Sequence, residues 1–232
     1  MSLRFFLALL AALLAGCGGG APEPEFFPLE AGQRWVYKSE TRNSIGTRSA
    51  ELTFRTLPAE RVNGQKAAVR LSSGGNRYYL VADETGVSRI AKQTAVELAP
   101  RLDPKPRPVL RYPLEVGATW QSTTHPYVLT RIIPMGETVG RSVNLPMQYS
   151  IVALDETVDV PAGRFGGCIK VVGRATFDLY ADGRRGFIEI PFTTTEWYAP
   201  GVGLVKLERT EELETDVFTG GTVTLELLDY ER

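Results

Sequence analysis

An all-β fold built from antiparallel sheets is predicted, with two similar β-units forming a sandwich or half-open barrel behind an N-terminal signal helix. Three observations predict it. Apolar and polar residues alternate at period two: Leu52 and Phe54 between Glu51, Thr53 and Arg55, and Val223, Leu225 and Leu227 between Thr222, Thr224 and Glu226. Such alternation gives one buried and one wet face, as antiparallel strands require. Turn signals punctuate the chain. Asp182-Gly183 separates Phe177–Tyr180 from Phe187–Ile190, and Asn63-Gly64 and Gly74-Gly75-Asn76 mark two further reversals. Helical periodicity is confined to one short candidate, Thr94 to Leu102, which Pro100 interrupts.

The first element, residues 1–16, reads as a signal peptide. Met1 to Arg4 carries one positive charge, and Phe5 to Gly16 has 11 apolar residues in 12. At about 1.5 Å per residue that run spans roughly 18 Å, short of a ~30 Å hydrocarbon core. It suits a signal h-region rather than a membrane-spanning helix. Residues 17–26 come next as a tether, with Gly18-Gly19-Gly20 flexible and Ala21-Pro22-Glu23-Pro24-Glu25 extended.

The body is expected as a first β-repeat over 27–99, a proline-rich extended connector over 100–111, and a second β-repeat over 112–232. Phe27-Pro28-Leu29-Glu30-Ala31-Gly32-Gln33-Arg34-Trp35 matches Tyr112-Pro113-Leu114-Glu115-Val116-Gly117-Ala118-Thr119-Trp120 at one offset, since 113 − 28 = 85 and 120 − 35 = 85. Two weaker matches keep the same order. Val62–Arg70 resembles Val160–Val171, and Tyr79–Ile90 resembles Trp197–Leu207. In the stronger motif proline fixes φ, glycine permits the reversal, and the tryptophan packs into the sheet beyond it. Trp35 and Trp120 are therefore expected as core anchors. Pro100, Pro104, Pro106, Pro108 and Pro113 crowd the junction between the units.

Leu14-Ala15-Gly16-Cys17 resembles the lipobox of bacterial lipoproteins. That resemblance implies cleavage before Cys17 and acylation of its thiol and its new amine with fatty chains such as palmitate. Each buried CH₂ contributes about 0.8 kcal/mol, so two or three chains anchor a protein stably. Gly18, rather than aspartate, comes after the cysteine, which by the same resemblance implies the outer membrane, with the body facing the periplasm. FPLEAGQRWVY, YPLEVGATW, VDVPAGRFGGCIKV and EWYAPGVGLVKLE together resemble β-rich bacterial envelope lipoproteins of unknown function. The resemblance carries no catalytic residues with it.

Charge and composition exclude several classes. A net charge of −1 does not suit a nucleic-acid binder. A 43% hydrophobic chain with 23% charged residues is not disordered. One histidine and two cysteines leave no His-cluster metal site, four-cysteine zinc site or disulfide framework. No cofactor motif is present; Gly201-Val202-Gly203 is read as a hairpin turn.

His125 precedes Pro126 and is expected as a loop histidine. Cys168 is expected as a small buried residue rather than a nucleophile. The acidic run Glu208, Glu211, Glu212, Glu214 and Asp216 is expected as a solvated strand and turn. Arg101, Lys105, Arg107 and Arg111 are expected on the connector surface, with anionic lipid heads or a partner as their functional reading. The expected function is a non-catalytic envelope lipoprotein whose β-domain binds a protein partner or an apolar ligand, with no catalytic residues. The alternative is a periplasmic hydrolase using two carboxylates. A concave apolar pocket would favour ligand carriage.

Overall fold

The computed structural model describes residues 25–132, 137–138, 143–182 and 186–232. The signal segment, Cys17 and nearly all of the tether lie outside the described residues. So does the centre of the hairpin at Asp182-Gly183.

Alternation becomes strand as expected. The first half runs β1 (Arg34–Asn43), β2 (Gly46–Val62), β3 (Gln65–Ser72), β4 (Arg77–Asp83), β5 (Gly86–Gln93) and β6 (Arg101–Arg111). The second half runs β7 (Thr119–Thr124), two two-residue pieces β8 (Thr130–Arg131) and β9 (Glu137–Thr138), then β10 (Leu145–Val160), β11 (Gly163–Asp182), β12 (Gly186–Ala199), β13 (Gly203–Glu214) and β14 (Phe218–Glu231). Phe177 pairs with Ile190 and Tyr180 with Phe187, so the two segments that the sequence reads as a hairpin do pair. The helix considered for Thr94–Leu102 does not form. Residues 94–100 make a turn and Leu102 already belongs to β6, because Pro100 forbids helical propagation and Ala91 pairs with Leu102.

The sheet order is β6-β5-β4-β3-β2-β1-β14-β13-β12-β11-β10-β7. Each half is thus a six-strand antiparallel meander, and the last strand of one meets the first of the other. The β14/β1 seam is a ladder from Arg34↔Glu231 to Arg42↔Thr222. At the other seam β6 and β7 approach each other, and among the described residues no ladder joins them. The proline-rich segment expected as an extended connector is extended and is the edge strand β6. Pro104, Pro106 and Pro108 lack N–H donors at alternate positions, which point to one side of a strand. The result is a nearly closed antiparallel barrel with one unzipped seam.

The two halves agree in detail. Gly32 and Gly117 both adopt positive φ, 100° and 92°. A Cβ would meet nothing within 4 Å at either, so backbone conformation, not crowding, selects glycine. Gly32 N–H donates to Thr56 O and Thr56 N–H returns to Gln33 O, both 2.8 Å. Gly117 N–H donates to Ile151 O at 2.8 Å and Ile151 N–H returns to Ala118 O at 3.0 Å. Trp35 then pairs with Phe54, and Trp120 with Tyr149.

β-bulges bend β2 between Leu57 and Glu60 and β10 between Ile151 and Val158. Below each bulge a hairpin packs beside a buried aromatic. Val62 and Ala67 pack with Tyr79, and Val158, Val160 and Cys168 pack with Trp197. Both aromatics donate to a carboxylate at the same place in the register. Tyr79 Oη reaches Glu60, opposite Ala67, at 3.4 Å, and Trp197 Nε1 reaches Glu156, opposite Cys168, at 2.7 Å. Arg77 pairs with Glu60 and Lys170 with Glu156.

Candidate functional site

The barrel encloses a partly open cavity of about 290 Å³. It arises from period-two geometry, which sends alternate side chains to the same face. From β12, Glu196 and Tyr198 line it, while Trp197 between them does not and packs with Cys168 and Val205, in a cluster that Trp35 and Tyr37 also join. Trp35 and Tyr37 of β1, Arg70 of β3, Tyr78 and Leu80 of β4, and Tyr149 of β10 complete most of the aromatic wall. Arg107, Pro108 and Val109 of β6 face it beside Ser122 to Thr124 of β7, so the unzipped seam borders the cavity.

The phenols are held neutral. Burial pushes Tyr37, Tyr149 and Tyr198 far above the ordinary tyrosine value, and raises Tyr78 as well. Tyr37 Oη donates to Leu204 O at 2.8 Å and Tyr198 Oη donates to Glu196. Burial also raises Glu196, against the opposing effects of that hydrogen bond and of Arg209.

Three guanidinium groups share this space on different terms. Arg89 is neutralised by Asp103 through two bonds, Nε to Oδ2 at 2.7 Å and Nη2 to Oδ1 at 2.6 Å. Arg70 lies over Trp35 at 4.2 Å and Phe27 at 4.8 Å, donates to Pro28 O, and leaves a buried Nε–H without an acceptor. Burial lowers it to about 10, which still leaves it cationic at neutral pH. Arg107 has no ion-pair or hydrogen-bond partner among the described residues, and burial lowers it too.

Above the cavity, the segment after β7 is clamped inward. Glu211 accepts the N–H groups of Tyr127, Val128 and Leu129 at 2.7, 3.0 and 2.9 Å. Arg209 Nε donates to the same carboxylate at 2.8 Å, and its Nη2 to His125 O at 3.1 Å. Both side chains are at most 1% exposed. This corrects the reading of the acidic run as a solvated face: Glu208, Glu212 and Glu214 are exposed, but Glu211 is wholly buried. The signal was parity, since Arg209 and Glu211 fall in step with the apolar Val205 and Leu207.

His125 lies in the loop that the sequence predicts, half-buried against Tyr127, and burial lowers its pKa first, with Lys92 and Arg209 adding to it. Cys168 is fully buried and its thiol is pushed up to about 11. Trp35, Trp120 and Trp197 are all buried. Arg101, Lys105 and Arg107 separate: the first two are exposed, whereas Arg107 turns to the cavity. The carboxylate pair that a hydrolase requires is not assembled in this wall, where Glu196 is the one carboxylate among the described residues. Nor, among the described residues, do three His, Cys, Asp or Glu side chains gather as a metal site would need.

Neither the protein-family models nor the curated proteins contain a match to this chain. Among solved structures it is similar to a candidate lipoprotein of Parabacteroides distasonis, at 16% identity and a TM-score of 0.45, over 90% of this chain and 99% of that one. It is also similar to a candidate exported protein of Bacteroides fragilis with a YmcC-like fold, at 17% identity and a TM-score of 0.40, over 90% of this chain and all of the other.

Proposed function

We propose that this chain is a lipid-anchored envelope protein whose barrel binds a small ligand in its interior without transforming it. The interior cavity carries the reading. It is concave, walled by aromatic rings and supplied with a few polar groups, the usual make-up of a small-molecule site. Its volume of about 290 Å³ is at the small end for such sites, room for about ten heavy atoms at roughly 30 Å³ each. The lipobox supplies the anchor at Cys17, and Gly18 after it favours the outer membrane with the body in the periplasm. An exposed edge strand or apolar patch would favour a protein partner, and β6 is such an edge; the concave, partly open cavity that it borders favours a ligand.

The barrel also reads as a duplicated six-strand unit. The matched positive-φ glycines, their reciprocal hydrogen bonds and the paired aromatic–carboxylate contacts support duplication beyond the repeated motif. Fusion of two such units places the cavity between them, and each contributes one wall.

Two measurements on envelope-purified protein test the proposal. Metabolic labelling with an alkyne fatty acid is expected to mark the wild type and not Cys17→Ala. Native mass spectrometry is expected to find a non-covalent small molecule near one per chain. Undiminished label on Cys17→Ala rules out the anchor, and a protein that is empty and takes up no small amphiphile rules out carriage.

A further inference from the structure

We propose that the ligand is an amphiphile with an anionic head, a carboxylate or phosphate, that Arg70 holds that head inside the barrel, and that Arg107 adds its charge from the β6 side of the cavity. The proposal rests on the cavity being the binding site, and it comes from the charges that line it. Arg89 is already neutralised by Asp103. Arg70 has no carboxylate at ion-pair distance among the described residues; Glu25, Tyr37 and Tyr198 act on it only through space. Arg107 is likewise unpaired, with Asp103 its nearest opposite charge in effect. Glu196 does not compensate either of them, because its hydrogen bond comes from Tyr198 and its cationic neighbour is Arg209. Arg70 thus presents a cation with a buried, unpartnered Nε–H on an aromatic wall, a place that an anion would compensate.

Arg70 is held ready for that anion. Trp35 and Phe27 fix its plane, Pro28 O takes one N–H, and the buried Nε–H is left without an acceptor. A planar fork with a spare donor matches the paired oxygens of a carboxylate or phosphate. The apolar part of the ligand then lies against Phe54, Leu80 and Leu204, which line the same cavity. The volume matches about ten heavy atoms, the size of octanoate, and the open side of the cavity leaves room for the larger head of octyl phosphate.

The test titrates the lipidated protein in amphipol with octanoate, octyl phosphate and octanol, against empty amphipol, by calorimetry. The two anions are expected to bind, and octanol at least tenfold more weakly. Arg70→Met is expected to weaken the anions about 10- to 100-fold, as hydrogen bonds to charged groups of about 1.5–3 kcal/mol imply, and Arg107→Gln to weaken them by a smaller factor, both leaving octanol unchanged. If Arg70→Met fails to fold, Arg107→Gln and Arg70→Lys decide, the lysine variant being expected to bind between wild type and Arg107→Gln. Equal affinity for octanol and octanoate, or arginine variants without effect, overturns the anionic head while the cavity remains a binding site. Failure of all three octyl compounds to bind overturns both.

Discussion

Glu211 gathers three consecutive backbone N–H groups and one guanidinium around a single carboxylate with no access to water. Removing either partner of such a pair leaves a buried charge without compensation, at a cost of about 3–5 kcal/mol. Glu211→Gln is expected to lower stability by about that much in denaturant melts, whereas Arg209→Met combined with Glu211→Leu costs less than the two single changes added together. Glu196 sets a dependence on pH of its own. Above the ordinary carboxylate value of 4.5 the unfolded chain has lost this proton while the folded chain still holds it. The folded state then binds more protons, so native stability falls as pH rises, until the folded carboxyl ionises as well. Comparing wild type with Glu196→Gln between pH 4 and 8 is expected to show that fall in the wild type and a flatter profile in the variant. At Cys168 the sequence was legible, because a cysteine in a strand aligned with alanines reads as a small buried residue. Its raised thiol and full burial predict negligible maleimide labelling of the folded protein at pH 7. Arg209 was not legible in the same way, since its charge masked the parity that places it inside.

The elements were legible where one chemistry dominates. The reversal at Asn63-Gly64 arises from turn residues between two strands, the segments flanking Asp182-Gly183 pair as a hairpin, and β13 and most of β12 bury alternate residues. Strand β6 shows the limit. Three prolines read as an extended connector, which is right for the backbone, but a sequence does not reveal that the connector lies beside β5 as a sheet edge. The same prolines leave the β6/β7 seam unzipped while β14/β1 zips fully. Hydrogen exchange is expected to show slow amides on β1 along β14 and much faster exchange for β7 amides that do not face β10. Comparable protection at both seams contradicts the open edge. The two Pro-Leu-Glu-x-Gly turns share a positive-φ glycine, although Tyr112-Pro113 is cis and Phe27-Pro28 is not, and the tryptophans they lead into have different surroundings. Trp35 and Trp120 each bury a large face, so truncation of either to Ala is expected to cost about 3–5 kcal/mol in denaturant melts. Trp35 also lines the cavity, so its loss should weaken ligand binding as well; Trp120 is not in the cavity wall.

At the scale of the molecule, the repeated motif stands at the entry to each half of the barrel and says nothing of the site. Two meanders in the same order, each opened by a Pro-Leu-Glu-x-Gly turn, agree with the 85-residue offset. The cavity could not be anticipated in this way, because it is assembled from strands of both halves: Arg70 and Tyr78 come from one unit and Tyr149 and Glu196 from the other. No local pattern joins residues that far apart in sequence. The central claim is that this shared interior is where a ligand binds, and the three tryptophans offer a direct reading of it. Trp35 is in the cavity wall, whereas Trp197 is not, although both belong to one buried cluster with Cys168. Indole N–H resonances of the ¹⁵N-tryptophan-labelled protein, monitored while octanoate is added, separate these places. The account predicts a saturable shift of the Trp35 signal at one ligand per chain, larger than that of Trp197; a Trp35 signal that stays still at millimolar ligand, or a larger shift at Trp197, would contradict it.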